Sequence, residues 1–342
     1  MHLAEGAAAD RDGRGLVKMH LLRVDLTRMG VSLRPLMRVV AERLPLTRLA
    51  AGHKNLVAAV NTGYFDFATG APTQPLIVAG RALVATRRAM RVVGVDARNR
   101  FLSGSVSVTG AVVIGGRRHQ LSGVDAVASG GLVLFDSSWG TAPIPLRKGA
   151  VARQVIGHQL GPVDRPPTPV SIPRRGFVLV AGPRVASWLS RRPKGASVHR
   201  TTRIDSSPRQ AFEEAYGVGT QIVVDGHART GLACNSAGTS QPARTAIGTM
   251  NHDKTLLIGE VEDHPGTRIH GLDEDQMSAF MRQGGAQEAW DFDGSGSTEL
   301  LARWPHRDTL SLRTYPADGT ERPMPVGLGV VFRKKHERAP SR

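Results

Sequence analysis

The stretch RTAIGTMNHDKTLLIGEVED, residues 244–263, contains the clearest β-hairpin of the sequence. Two apolar arms, 245–249 and 255–261, flank a polar turn at residues 251–254. Apolar arms of this length around a short polar turn predict two paired antiparallel strands.

A helix and a further strand are predicted directly after this hairpin. Asp273 suits the N-cap position, and Gln276 follows at the spacing of a capping box. Apolar residues then recur at helical spacing, and two glycines at 284–285 suit the C-terminal end. This pattern predicts a helix over residues 273–284, and AQEAWDF, residues 286–292, predicts a strand.

The loop WDFDGSGST, residues 290–298, places Asp293 at or just past the end of that strand. Three readings stay open for it. It is a tight turn with solvated aspartates, a loop whose backbone N–H groups bind a polar ligand, or a calcium loop. Asp291, Asp293 and Ser295 fit the first half of a calcium loop, but Ala302 stands where such a loop has glutamate.

Most of the remaining chain also predicts strands. One hairpin turns at residues 79–80, a short helix is expected within 44–55, and residues 191–219 predict a long, partly irregular connection. We therefore expect an α+β fold with a mixed, mostly antiparallel β-sheet core and a few helices. The expected organisation is an N-terminal extension (1–14), one domain (15–333) and a charged tail (334–342).

Composition narrows the classes of partner. The net charge of the 342 residues is +16 and comes mostly from arginine, which indicates either an anionic partner or a compositional bias. Motifs of nucleic-acid-binding domains do not occur, so no nucleic-acid partner is predicted. No apolar run approaches the ~20 residues of a membrane span. A single cysteine, Cys234, excludes an internal disulfide.

Two further motifs carry polar groups that suit carbohydrate. In VNTGYFD, residues 60–66, Asn61 follows an apolar strand; this is a plain turn or a site where aromatic rings stack on a sugar and Asp66 binds hydroxyls. Arg244 opens an apolar strand and must meet water, a carboxylate or an anionic ligand.

The order of these motifs resembles the phosphodiester glycosidase family, the family of the lysosomal uncovering enzyme. The resemblance spans residues ~15 to ~332, nearly the whole chain, and its motifs are specific in their order. The matching residues are Asn61, Gly63, Tyr64, Phe65, Asp66, Arg244, Thr245, Gly248, Gly271, Leu272, Asp293, Gly294, Gly296, Ser297, Glu321, Arg322 and Pro323.

The resemblance implies a hydrolase that cleaves a sugar-1-phosphodiester between the anomeric carbon and the phosphate oxygen, in a glycoconjugate or an anionic polysaccharide. It makes Asp293, Arg244 and Asn61 the expected catalytic residues. Arg322 is a second anion contact or pairs with Glu321. The expected substrate-binding residues are Gly63, Tyr64, Phe65, Asp66, Thr245, Gly294, Ser295, Gly296, Ser297 and Arg322.

Three residues depart from the family pattern and put the substrate in question. Thr62 and Ser295 stand where the family usually has glycine, and Val326 stands where it tends to have asparagine. Two alternatives therefore stay open: a glycoside hydrolase or lyase on a non-phosphorylated exopolysaccharide, and a non-catalytic calcium-dependent carbohydrate-binding protein.

The expected cofactor requirement is none, with a divalent cation such as calcium as the alternative. The partner is a carbohydrate or glycophosphate. No signal peptide is visible at the N-terminus. Because the family is mostly exported, we expect a secreted or cell-surface protein whose signal is missing from this chain, with a cytoplasmic protein as the alternative.

Overall fold

The fold is built from β-sheet with few helices. It is known from a computed structural model that describes residues 1–9, 15–126, 131–232, 241–303 and 309–333. Cys234, the charged tail and part of the N-terminal extension lie outside these residues. Within them the helices are short: α1 (Leu46–Ala50), α2 (Pro183–Ser190) and α3 (Glu274–Gln283).

The strands follow one another in chain order. The first half of the set is β1 (His2–Ala9), β2 (Leu16–Asp25), β3 (Val31–Leu36), β4 (Leu56–Asn61), β5 (Leu76–Val78), β6 (Arg81–Thr86), β7 (Met90–Val95), β8 (Phe101–Ile114), β9 (Arg117–Gln120), β10 (Gly123–Val124), β11 (Leu132–Phe135) and β12 (Val151–Ile156). The second half is β13 (Gln159–Leu160), β14 (Gly176–Ala181), β15 (Val198–Ser207), β16 (Glu214–Gly217), β17 (Gln221–Val224), β18 (His227–Ala228), β19 (Arg244–Met250), β20 (Thr255–Val261), β21 (Glu288–Asp291), β22 (Leu300–Arg303), β23 (Leu310–Leu312) and β24 (Gly327–Phe332).

These strands form three sheets. One has the order β1-β2-β20-β19-β21-β17-β18, and a smaller one has the order β23-β22-β4-β24-β3. The third has twelve strands in the order β13-β12-β14-β11-β10-β6-β5-β16-β7-β8-β15, with β9 added beside β8. Among the strand pairs of the described residues, only β10–β11 is parallel. The predicted antiparallel core with few helices is confirmed, and the balance is more strongly β than the α+β class suggests.

One apolar core joins the sheets. Its buried side chains come from all three, for example Ile258 of β20, Val93 of β7 and Leu328 of β24. Burial of side chains of this size contributes about 1.5–3 kcal/mol each. The strands that end at this core therefore hold their terminal residues in fixed positions.

Local sequence explains the elements nearest the site. The predicted hairpin is β19–β20, and its turn residues Asn251, His252 and Asp253 all have positive φ, which Asn and Asp tolerate well. The predicted helix is α3. Its capping box between Asp273 and Gln276 is formed by both reciprocal hydrogen bonds.

The prediction for residues 191–219 was wrong. This segment contains β15 and β16, and β15 pairs with β8 over ten residues. Most of β15 is exposed, so its sequence lacks the apolar alternation by which strands are recognised. Residues 2–9 of the predicted N-terminal extension form β1, paired with β2.

Candidate active site

The candidate site lies where three strands end or begin. Asn61 is the last residue of β4, Arg244 is the first residue of β19, and Asp291 is the last residue of β21. β19 and β21 are neighbours in one sheet, whereas β4 belongs to another. The junction of two sheets thus gathers polar residues that are far apart in the sequence.

The loop after β21 is fixed to both sides of this junction by its backbone. The N–H of Asp293 donates to the carbonyl of Thr62 at 2.9 Å, and the N–H of Ser295 donates to the carbonyl of Ala243 at 2.7 Å. A 3-10 turn at Ser295–Ser297 follows. The loop therefore holds its side chains in one arrangement.

The side chain of Asn61 holds this loop in position through hydrogen bonds. Its Oδ1 accepts from Thr245 Oγ1 at 2.9 Å and from the N–H of Glu299 at 3.3 Å, and its Nδ2 donates to the carbonyl of Asp293 at 2.6 Å. Asn61 and Thr245 are both almost fully buried, and Thr245 also bonds to Thr298. In this structure the two residues act as positioning residues. The expected contacts of Asn61 and Thr245 with substrate are not supported, because the loop uses these groups itself.

Asp293 carries a carboxyl group whose pKa is raised toward neutral pH. Burial raises its pKa to about 6, against the opposing effects of a hydrogen bond from Ser297 and the charge of Arg322. Its Oδ1 accepts from the N–H of Gly294 at 3.0 Å. A carboxyl group with this pKa exchanges its proton close to neutral pH.

Asp291 is the site residue that sequence reasoning missed as a functional group, considering it only for calcium. Its Oδ2 accepts from the hydroxyl of Tyr64 at 2.7 Å, while its buried Oδ1 has no hydrogen-bond partner among the described residues. Burial raises its pKa, and the hydrogen bond from Tyr64 opposes the rise. The short spacing of Asp291 and Asp293 at the end of a predicted strand is the signal that could have indicated this pair.

Arg244 lies beside carboxyl groups of the site. It is buried, and its Nε donates to the carbonyl of Leu272 at 3.0 Å. Burial raises the pKa values of Asp291 and Glu274, and the charge of Arg244 lowers both. The structure therefore places the predicted arginine in the site, with its charge partly balanced by neighbouring acids.

Arg322 has different neighbours from those considered in the sequence. It pairs with Asp318 through bonds of 2.7 and 3.0 Å, and its Nη1 donates to Ser297 Oγ at 3.3 Å. Glu321 instead accepts from the N–H and hydroxyl of Thr47. The suggested pair of Glu321 with Arg322 was wrong, because the two side chains turn to different neighbours.

Phe65 was expected to stack on a sugar and Asp66 to bind its hydroxyls. Both side chains make contacts within the protein. The ring of Phe65 is 8% exposed and packs against Phe67 at a centroid distance of 5.0 Å. Asp66 Oδ1 accepts from the N–H and the hydroxyl of Thr69 at 2.8 and 2.9 Å. Because Phe65 is buried, its ring is not placed to stack on a sugar, and Oδ1 of the half-buried Asp66 closes its own turn.

The small residues of the loops are required by the protein itself. A Cβ on Gly63 would lie 2.5 Å from a carbonyl oxygen, and one on Gly294 would lie 2.8 Å from another. A Cβ on Gly296 would collide with the guanidinium of Arg322. The expectation that these glycines admit a ligand gives way to close packing of the chain.

The side chains suggested for calcium are engaged or exposed. Asp291 bonds to Tyr64, and Ser295 is exposed. Among the described residues, no group of three or more His, Cys, Asp or Glu side chains is placed to hold a metal ion. Within the same residues, no helix is both long and apolar enough to cross a membrane.

Solved structures share this fold at low sequence identity. A hypothetical protein from Synechocystis matches with a TM-score of 0.76 at 18% identity, over 96% of this chain and 61% of that one. A protein of Burkholderia pseudomallei whose name describes it as exported matches with a TM-score of 0.73 at 19% identity, over 93% and 74% of the two chains. This chain thus spans about three fifths of the length of the Synechocystis protein.

A third structure is more distant. The catalytic domain of zebrafish N-acetylglucosamine-1-phosphodiester alpha-N-acetylglucosaminidase, auto-inhibited by its pro-peptide, aligns with a TM-score of 0.44 at 13% identity, over 97% of this chain and 83% of that one. This likeness is too weak to support an argument. No curated protein sequence matches this chain.

The family assignment comes from the sequence of the C-terminal half. The model of the phosphodiester glycosidase family matches residues 161–331, which is half of the chain and includes β19, α3 and the loop of Asp293. The chain belongs to the phosphodiester glycosidase family.

Proposed function

We propose that the protein hydrolyses a sugar-1-phosphodiester, breaking the bond between the anomeric carbon and the phosphate oxygen in a glycoconjugate or an anionic polysaccharide. The observation that carries this proposal is a pair of carboxyl groups at the end of β21 and just past it, buried Asp291 and half-buried Asp293. Asp291 and Asp293 both have raised pKa values, and Asp293 reaches about 6. Glycosidases use two carboxyl groups around an oxocarbenium-like transition state.

Asp293 is proposed to move the proton. Because the pKa of Asp293 is about 6, its carboxyl group is ionised in most molecules near neutral pH. It is therefore able to take a proton from the attacking water. The water oxygen forms the new bond to the anomeric carbon, and the phosphate leaves with the bonding electrons. A phosphate has a second pKa of about 6 and needs little protonation to leave.

Asp291 is proposed to stabilise positive charge on the sugar. One of its oxygens is fixed by Tyr64 and the other is buried without a hydrogen-bond partner among the described residues. A carboxylate oxygen in that state favours a positive or hydrogen-donating neighbour. The anomeric carbon of the transition state, or a sugar hydroxyl, meets that requirement.

Arg244 is proposed to balance the charge of the departing phosphate. A guanidinium presents several N–H donors in one plane and binds phosphate through paired bonds. Its Nε donates to the carbonyl of Leu272 at 3.0 Å, which helps to fix the orientation of the guanidinium. A preorganised donor aimed at developing charge is worth about 3–4 kcal/mol in other enzymes.

One observation favours a second candidate, a glycoside hydrolase on a non-phosphorylated exopolysaccharide. Arg244 is buried, and its charge already acts on Asp291 and Glu274. An arginine balanced in this way adds less attraction for a phosphate than a free one. The carboxyl pair would then act on a neutral sugar.

Product release from a panel of small substrates distinguishes the two candidates. The panel contains a methyl phosphodiester of N-acetylglucosamine and neutral nitrophenyl glycosides, for the native protein and for Asp293→Asn, with and without chelator. Asp66→Asn is the matched control, because it removes the same charge from a group that closes its own turn. Cleavage of the phosphodiester that is lost only in Asp293→Asn supports the proposal, whereas cleavage of neutral glycosides alone selects the second candidate.

Cofactor use and compartment belong to the same proposal. We propose a reaction without a metal, so turnover in chelator should equal turnover without it. Export of the protein is proposed because a structural relative carries a name that describes it as exported. Fractionation of the native host tests the compartment.

A further inference from the structure

A second polar site lies on the twelve-stranded sheet and shares no residue with the site of Asp291 and Asp293. It is a groove of about 620 Å³, within the range of ligand pockets. Its polar lining includes Arg81, Asp136, Ser137, Arg200, Thr202 and Arg203.

A single carboxylate organises the arginines of this groove. Oδ2 of Asp136 accepts from Arg81 Nη2 at 2.7 Å and from Arg200 Nη1 at 3.4 Å. Its Oδ1 accepts from the N–H and the hydroxyl of Ser138 at 3.0 and 2.7 Å. The Asp136 side chain is 8% exposed, while those of Arg81 and Arg200 are 57% and 38% exposed. The buried carboxylate of Asp136 thus binds two guanidinium groups at the surface.

A second carboxyl group, that of Asp125, holds Asp136 in position. Asp125 is fully buried, accepts from the N–H of Asp136 at 3.0 Å and bonds to the hydroxyl of Ser138. Burial raises the pKa of Asp125 to about 8, so this group is mostly neutral at pH 7. Two guanidinium groups therefore face one carboxylate, and the cluster keeps a surplus positive charge.

Contacts within the protein orient the guanidinium groups of Arg81 and Arg200 without using all of their N–H donors. Arg200 lies over the ring of Phe177 at 4.7 Å, which restricts its plane. Within the described part of the chain, Asp136 is the only hydrogen-bond partner of the Arg81 and Arg200 side chains. Because each guanidinium has five N–H donors, most of these donors remain for an anion.

Basic residues continue beyond this groove. An adjoining groove of about 250 Å³ is lined by Arg87, Arg118 and Arg203, and both grooves include Thr202 and Arg203 of β15. These cations come from several neighbouring segments, β6, β9 and β15 among them. Cations spread in this way suit a ligand with repeated negative charges better than a single small anion.

We propose that the Arg81–Arg200 groove binds the phosphate or carboxylate groups of an anionic glycan. It binds the polymer at a place separate from the site of hydrolysis. The choice of a glycan rests on the function proposed above, whereas the anion site itself does not. The described lining of both grooves contains threonine and serine hydroxyls but no aromatic ring. Binding of single-stranded nucleic acid depends largely on stacking of bases on aromatic rings, so the lining favours a sugar polymer.

Direct binding measurements test the site without relying on turnover. The probes are a short poly(glycerol phosphate), an oligogalacturonate, neutral dextran and an oligothymidylate, titrated by calorimetry at low and at physiological ionic strength. The variant Arg81→Gln/Arg200→Gln is compared with Arg48→Gln/Arg184→Gln, which removes the same charge at exposed positions outside both grooves.

The groove variant should bind the anionic glycans at least about tenfold more weakly, since it loses two charged hydrogen-bonding groups. The control variant should change little, dextran should not bind, and Arg81→Lys/Arg200→Lys should recover part of the affinity. Thermal unfolding verifies that each variant is folded. If the Gln variant does not fold, the Lys variant must bind more weakly than the native protein and more weakly than the control.

Three outcomes would overturn the proposal: equal binding by the groove variant and the native protein, equal loss in both Gln variants, or oligothymidylate binding as tight as glycan binding. Cleavage of the small phosphodiester should be unchanged in the groove variant. If that substrate is not cleaved by the native protein while glycan binding still depends on Arg81 and Arg200, the reaction is wrong and the anion site stands.

Discussion

Replacement of Asp293 by asparagine should lower turnover by about 10²–10⁴-fold and stabilise the protein at neutral pH. Burial raises the pKa of this carboxyl from 3.8 to about 6, a change of about two units. One unit corresponds to about 1.4 kcal/mol, so the ionised group destabilises the folded state by about 3 kcal/mol. Asn carries no charge, and the variant should gain about 2–3 kcal/mol once altered hydrogen bonds are allowed for.

The sign of this effect depends on pH. Because the pKa of Asp293 is higher in the folded state, that state binds the proton more tightly than the unfolded chain. The native protein therefore loses stability as the pH rises from about 4 to about 6, and the cost is fully present above about 7. The advantage of Asp293→Asn should be largest at pH 8 and should nearly vanish at pH 4.

Urea unfolding at several pH values between 4 and 8 measures this difference. Asp66→Asn provides a control of opposite sign, because a backbone hydrogen bond from Thr69 lowers the pKa of Asp66. Asp66 stabilises the fold above its unfolded pKa, and that contribution is lost as the pH falls through its folded pKa. Asp66→Asn should thus be less stable than the native protein at neutral pH.

Turnover of the methyl phosphodiester is measured on the same variants. Loss of a group that transfers a proton lowers rates by about 10²–10⁴-fold, so Asp293→Asn should fall by that factor. Asp66→Asn should keep most of its activity. If the native protein and Asp293→Asn show parallel stability profiles with pH, the raised pKa of Asp293 and the role built on it are refuted.

Four further outcomes are expected. Tyr64→Phe should lower turnover about tenfold or more and stability by about 1–3 kcal/mol, because it leaves Asp291 Oδ2 without its donor; kinetics and urea unfolding measure both. Gly219→Ala should reduce turnover, since a Cβ there would lie 2.6 Å from Asp291 Oδ1, whereas Gly6→Ala, with no atom within 4 Å, should not. Ser295→Gly should raise the free energy of unfolding by about 0.5–1 kcal/mol, because Ser295 has a φ of 56°. A chelator should leave turnover unchanged; activity restored only by added calcium would contradict a metal-free reaction.

Some elements of the fold could be predicted because the residues that specify them lie close together in the sequence. The β19–β20 hairpin and helix α3 contain their own turn and cap residues within about twenty positions. The strand β15 was missed because it is mostly exposed and paired along its whole length with β8. A polar edge strand is specified by its partner, and the partner lies about ninety residues away.

The proximity of several predicted site residues could be inferred from motif order, whereas the contacts of their side chains could not. Motif order brought Asn61, Arg244 and Asp293 together correctly, yet the bond between Tyr64 and Asp291 joins residues 227 positions apart. The sequence of the turn also gave no reason to prefer a sugar over Thr69 as the partner of Asp66. Side-chain types restrict which bonds are possible, and tertiary packing selects among them.

The three departures from the family pattern leave the carboxyl groups and the arginine of the candidate site in place. The hydroxyl of Thr62 donates to the backbone carbonyl of Val326 at 3.0 Å, so the hydroxyl added at this position is bonded inside the protein. Ser295 is exposed and tolerates its positive φ at a modest cost. None of the three removes a group from Asp291, Asp293 or Arg244. The choice between a phosphorylated and a neutral substrate therefore depends on how far Asp291 and Glu274 balance the positive charge of Arg244.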